Sequence, residues 1–274
     1  MTTDPSRATR FMLSTRLAIG FALACALAFA ADNARAEPLI SDPIEQPSAA
    51  NSIQFELGAG AGVGAAYEGS KDFRFSPVPI IRLRGLDFGR ISFGGGATTG
   101  FSIAPSFRYV GKRSAADHPE LAGIQNLDPS YEAGLKLGYE WEYARAFVQA
   151  RYGFGGHKGF VGEVGADAIV RPDSTLSISV GPRLSFANDK YAHYHFSVPV
   201  TATNLAPYVA RGGIKSAGVA VKIRKDFNDQ WAAEAEGSYD RLVGNFATSP
   251  IVQAGSRNQY AASLSLIRKF DLKF

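Results

Sequence analysis

From residue 37 to the C-terminus no apolar run approaches 18 residues, so a helical membrane protein is excluded. Cysteine is absent from the same stretch, which suits an oxidising compartment without depending on one. An excess of one charge is missing too. Residues 1–36 hold four arginines and two aspartates, so the 29 basic and 25 acidic residues of the whole chain become 25 and 23 beyond them. A net charge near +2 is no electrostatic footprint for nucleic acid, and none is expected as a partner. Histidine is scarce: His118, His157, His193 and His195 fall in polar stretches, with no serine and acid at a recognisable catalytic spacing. His193 and His195 flank Tyr194 but lack a third ligand. An enzyme is therefore not expected, and no catalytic, cofactor or metal site is assigned.

The N-terminus reads as a cleavable export signal. Arg7, Arg10 and Arg16 precede an apolar stretch at 17–31, and Ala34-Arg35-Ala36 supplies small residues for a signal peptidase. That stretch is shorter than the roughly 20 residues a permanent helical anchor needs. Cys25 sits in mid-run with Ala22 where lipoprotein processing favours a larger aliphatic residue, so it is expected to leave with the signal. The mature chain then begins near Glu37, and residues 37–52, with Pro38, Pro43 and Pro47, form a periplasmic leader before a barrel domain at 53–274.

What fills the remainder is glycine, aromatics and alternation. Ile53, Phe55, Leu57, Ala59, Ala61, Val63, Ala65 and Tyr67 interleave with Gln54, Glu56, Gly58, Gly60, Gly62, Gly64 and Ala66. Tyr131, Ala133, Leu135, Leu137, Tyr139 and Trp141 oppose Glu132, Gly134, Lys136, Gly138, Glu140 and Glu142 in the same way. Residues 174–186, 217–227 and 231–240 repeat the split, with weaker versions at 76–94, 101–110, 143–154 and 159–171. A period of two is a two-faced strand.

A soluble sandwich also alternates, but three features favour a membrane barrel. Several strands exceed the 5 or 6 residues typical of soluble sheets and approach what a tilted strand needs to cross a bilayer. Aromatics gather at the ends of the apolar faces, as Trp231 and Tyr239 do. The last segment places Tyr260, Ala262, Leu264, Leu266, Phe270, Leu272 and Phe274 on one face, and its ending Phe270, Leu272, Phe274 is similar to the assembly signal of outer-membrane barrels. Ile267 and Arg268 break the alternation there, which predicts a bulge or a lipid-headgroup contact.

In hydrocarbon every backbone donor and acceptor must find a partner inside the protein, so a sheet crosses only by closing on itself. The expected fold is thus all-β, a transmembrane antiparallel β-barrel in the outer membrane of a Gram-negative cell, with lipids around it. Short connections at 95–100, Glu142, 171–173 and 228–229 alternate with longer polar stretches at 68–75, 111–129, 155–158, 187–216 and 244–257. These alternate correctly for ten strands if 76–94 is one strand kinked at Gly85. Twelve is the alternative, with a turn at Gly85 and a further strand hidden in 187–216.

Parity assigns Arg82, Arg84, Arg108, Arg145, Arg151, Arg183, Lys222 and Arg224 to the lumen, facing Glu56, Glu132, Glu140, Glu163, Asp167, Glu234 and Glu236. Such near balance predicts cross-strand ion pairs in a narrow interior, and leaves a selective solute path as the alternative. The glycine ladder Gly58, Gly60, Gly62 and Gly64 thins one wall, leaving room for arginines or a solute; no helix follows it, so it is not a phosphate-binding loop.

Several segments are similar to the MipA/OmpV family of outer-membrane proteins: Tyr67-Glu68-Gly69-Ser70 with Pro77 and Pro79, Tyr131-Glu132-Ala133-Gly134-Leu135, Gly155-Gly156-His157-Lys158-Gly159, Ser249-Pro250-Ile251-Val252 and Gly255-Ser256-Arg257-Asn258-Gln259-Tyr260. Their order and spacing span about residue 53 to Phe274. The resemblance implies a non-enzymatic scaffold linking a lytic transglycosylase and a penicillin-binding protein during murein growth. It also leaves porin-like and adhesive roles open, the latter resting here only on the long loops 111–129 and 187–216.

Overall fold

A computed structural model of the chain describes residues 51–87, 92–94 and 100–274, so the expected signal and nearly all of the leader lie outside the described residues. The alternating segments form β1 (Ser52–Ala65), β2 (Phe73–Asp87), β3 (Ser92–Gly94), β4 (Gly100–Val110), β5 (Ser130–Glu140), β6 (Ala144–Gly155), β7 (Phe160–Val170), β8 (Leu176–Ala187), β9 (Gly213–Asp226), β10 (Trp231–Leu242) and β11 (Asn258–Lys273). They make one antiparallel sheet in the order β3-β2-β1-β11-β10-β9-β8-β7-β6-β5-β4. All but the three-residue β3 run 11 to 16 residues. The sheet curls until Cα atoms of β2 and β4 lie within 8 Å. The result is a ten-stranded barrel, nearly closed.

Parity sorts the wall as alternation requires. Phe75, Phe107, Leu135, Val148 and Leu266 stand exposed on the outside, while Glu56, Glu132, Asp167 and Glu234 are buried within. Two aromatic belts frame the outer face. Near the chain termini Phe55 stacks on Phe270 at 4.9 Å and Tyr139 meets Trp141 at 4.7 Å. At the far end Tyr109 meets Tyr131, Tyr152 meets Phe154 and Phe160, and Tyr239 meets Tyr260. Belts at both rims of an apolar band are the arrangement of a membrane barrel.

Three local expectations need correction. Residues 76–94 are not one kinked strand: β2 starts earlier, at Phe73, and ends at Asp87, and β3 folds back to pair Leu86 with Phe93. The twelve-strand alternative fails because the stretch between β8 and β9 holds a helix, α1 (Asp189–Phe196), and, in place of a further strand, an isolated bridge between Val198 and Tyr208. No bulge occurs at Ile267 and Arg268, where β11 stays in register with both neighbours. Ile267 turns inward and fills space left by Gly58, whose Cβ would sit 3.0 Å from its Cγ1. Arg268 turns outward over Trp231 and Phe270, at 5.5 and 5.4 Å from the ring centroids.

The long loops fold into a cap over the end away from the termini. Asn188 caps α1 by accepting from the Tyr191 N–H, and Pro250 opens α3 (Pro250–Ala254) just after α2 (Gly244–Thr248). Tyr191, Phe196, Phe246 and Val252 form one small apolar core there, and Tyr67, Leu121, Val198 and Ile251 a second. Gly69 adopts φ +93° against Val252, a conformation that L side chains rarely adopt. Truncating a fully buried phenylalanine costs about 3–5 kcal/mol, so Phe246→Ala is expected to open the cap. Limited proteolysis should then cut within 243–257 while the barrel keeps its heat-modifiable gel mobility; loss of that mobility would instead make the cap part of the barrel's folding unit.

Candidate functional site: the charged lumen and its cap

Two register bulges lie beside cations of the inner wall, and one of them turns a further cation inward. One, between Gln54 and Phe55, skips Arg84 in the β1–β2 ladder, and Arg84 lies 3.6 Å from Glu56. The other, at Ser185/Phe186, skips Lys215 between β8 and β9. Simple alternation from 217–227 would have pointed Lys215 at lipid; the bulge lets its Nζ reach Glu68 at 2.5 Å.

The lumen charges gather into chains of ion pairs. Glu56, almost fully buried, is met by Arg82 at 2.9 Å and Arg224 at 2.7 Å. Arg82 continues to Glu234 at 3.1 Å, and Lys222 links Glu234 to Glu236 at 3.3 and 3.0 Å. Arg224 also meets Asp226, which Lys269 reaches at 3.0 Å. On the opposite wall Arg145 and Arg183 each hold Asp167 at 2.6 Å. Arg145 lies 3.8 Å from Glu140, itself bound by Arg171. Glu163 accepts from Gln149 at 3.1 Å. Nearer the cap, Arg151 donates to Glu132 at 3.0 Å, and Arg108 lies 3.7 Å from Glu132 and 3.1 Å from Glu68. The structure thus brings all fifteen of the parity-assigned charges into ion pairs or, for Glu163, a hydrogen bond.

Sequence reasoning missed the groups that join lumen to cap: Glu68, His157, Tyr191, His195 and Lys215. His157 Nε2 lies 3.2 Å from Glu132 Oε1, and its ring packs edge-on against Tyr191 and His195. The segments that carry the family resemblance, 67–70 and 155–159, supply Glu68 and His157, which is the signal that pointed here. Burial alone would raise the Glu68 carboxyl, yet Lys215 and Arg108 hold it well below the usual range. Burial pushes Tyr191 well up, with Glu68 adding to it. Burial also pushes His195 down to about 3, helped by His157, Arg113 and Lys215 against an opposing Glu68. A carboxylate pinned by two cations is a poor base, and Glu68 neutralises charge of Lys215 and Arg108.

At the cap rim Asp72, His118 and Glu120 each bring one ligand atom to within 4.8 Å of the others, and Tyr67 Oη donates to Glu120 at 2.9 Å. They come from two loops, and no spacing in the sequence joins them. The interior keeps a cavity of about 330 Å³ bounded by β2, β4, β5, β6, β7, β8, β9 and β10.

Long tilted strands, an apolar outside and a charged inside define a transmembrane β-barrel of the outer-membrane type. A family model described as MltA-interacting protein MipA matches residues 57–270, and the chain belongs to that family. No curated protein matches it. Among solved structures it is similar to the N-terminal barrel domain of Pseudomonas aeruginosa OprF, with 15% identity over 63% of this chain and 98% of that one and a TM-score of 0.31. It is also similar to Neisserial surface protein A, with 12% identity over 79% and 97% of the two chains and a TM-score of 0.31.

Removing one partner of a buried ion pair costs about 3–5 kcal/mol because the other charge stays buried. Glu56→Gln leaves Arg82 to Glu234 and Arg224 to Asp226, so denaturant titration is expected to show a loss below that range but above about 1 kcal/mol, the scale of an exposed pair; a smaller change would mean that the remaining carboxylates and lumen water satisfy both guanidiniums.

The cap should also weaken in acid. An unfolded histidine titrates near 6.5, and His195 in the folded cap near 3, so the opened state binds the extra proton between those values. The stabilisation is complete above pH 6.5 and declines as pH falls toward 3; Glu68, held low, acts in the same direction at lower pH. NMR of the folded protein should show His195 neutral at pH 5, and a midpoint near 6.5 would refute the assignment.

Proposed function

We propose that this barrel sits in the outer membrane as a non-enzymatic anchor for murein-remodelling partners: a lytic transglycosylase, and with it a penicillin-binding protein. The observation that carries the reading is the interior. Ion pairs connect neighbouring strands around the lumen, others reach between strands that are not neighbours, and a cap with its own apolar cores covers one end, an architecture suited to rigidity rather than flow. The family description, an interacting protein, supplies the partner class. In this reading Phe270, Leu272 and Phe274 serve barrel assembly, the cleaved signal directs export, and the leader with the short turns faces the periplasm where murein enzymes work.

Affinity capture from detergent-solubilised envelopes tests it. Murein hydrolases and synthases should be enriched over an unrelated barrel of equal abundance, and no enrichment sinks the reading. The second reading, a selective channel, is favoured by the cation-rich cavity. A stable planar-bilayer conductance that changes when Arg82, Arg84 or Arg108 is neutralised would establish it instead.

A further inference from the structure

The wall is incomplete at the seam between β2 and β4. Among the described residues no ladder joins these strands, and beside the seam Arg74 of β2 donates from Nη1 to the carbonyl of Lys112, just past the end of β4, at 3.0 Å. Proline explains why. Pro77 and Pro79 lie two apart on β2, so both missing donors point to the same side. The β1–β2 ladder runs unbroken past them, which leaves that side as β4. On β4, Pro105 sits within an unbroken ladder to β5. An edge that lacks donors leaves fewer orphaned N–H groups facing lipid than any other sequence would.

The lumen cavity abuts this seam. Its lining includes inward residues of both strands, Ile80, Arg82 and Ser106, together with their outward neighbours Pro79, Ile81, Pro105 and Phe107. Consecutive residues of both strands line it, so it reaches the wall where β2 and β4 meet without a ladder. The wall there is apolar on its outer side, where Ile81 and Phe107 are exposed, and the cavity's floor is cationic, with six Lys and Arg side chains against Glu163 and Glu236. Five of the six cations have carboxylate partners. Lys136 is the exception: no carboxylate lies within 4.0 Å of it among the described residues, and its ammonium rests 3.7 Å over the Phe147 ring.

We propose that the β2–β4 seam is a lateral window through which the barrel takes a long-chain carboxylate from the bilayer, its headgroup on Lys136 and its tail left in lipid. About 330 Å³ is at the small end of ligand pockets. It holds a headgroup and the first few methylenes, which is why the rest of the chain stays outside. The inference is independent of the anchoring role, since neither needs the other.

The full chain folded in dodecyl maltoside micelles is titrated with radiolabelled oleate. Saturable binding is expected, with methyl oleate and butyrate competing at least about tenfold more weakly, because one lacks the charge and the other the tail. Lys136→Gln should weaken oleate binding by about tenfold or more, Lys136→Arg should retain it, and Ile80→Trp, which narrows the mouth, should also weaken it. Each variant is checked for heat-modifiable mobility, and if Lys136→Gln does not fold, Lys136→Arg and the two competitors decide. Absence of saturation, or equal competition by methyl oleate, overturns the proposal. So does equal competition by butyrate, which would mean a site for aqueous anions, and so does a folded Lys136→Gln that binds as the unmodified protein does.

Discussion

Everything in this molecule depends on the strand's period of two. A single layer of backbone must show hydrocarbon on one side and accommodate charge on the other, and alternation is the device that lets one chain do both. The backbone's own polar groups are hidden in the ladders, so the outer face needs no polar side chains, and the carboxylates and guanidiniums collect where they can neutralise one another. A one-residue slip would exchange the two faces wholesale, carrying Glu56 into lipid and Leu57 into the lumen.

Departures from strict alternation sit where the barrel does something besides span. Of the two bulges, one at each end of the lumen, that beside Lys215 turns this cation onto the inner wall, whereas Arg84, beside the other, already faces inward by alternation. Lys215 then ties the strand wall to the cap through Glu68, so the cap is linked to the barrel by charge as well as by apolar packing. The prolines of β2 and β4 leave parity and the ladders to β1 and β5 intact, and they lie on strands that meet each other without a ladder. Bulge and proline are thus separate tools, one re-aiming a side chain and the other removing a bond.

Much of the barrel could be read along the chain because strand geometry is local. Glu56, Arg82 and Glu234 fell on the inner face from parity alone, and Tyr131, Trp141 and Trp231 on the outer face. Ile267 looked like a defect in sequence, because its partner in space is Gly58, some two hundred positions away, and no local rule connects a missing side chain with the one that fills its place. The end of β2 was misread for a related reason: a glycine at a strand's bulge and a glycine at a kink look the same until the partner strand is seen.

By itself the sequence determined the period, the strand lengths and the sign of each face, since these follow from neighbouring residues and from the chemistry of lipid. Only the tertiary structure decided which charge meets which, how Lys215 turned inward, how the long loops pooled Phe196, Phe246 and Val252 into a cap, and that β2 and β4 meet without a ladder. Those outcomes depend on residues far apart in the chain arriving side by side, and curvature of the whole sheet, set by all its strands together, governs that arrival.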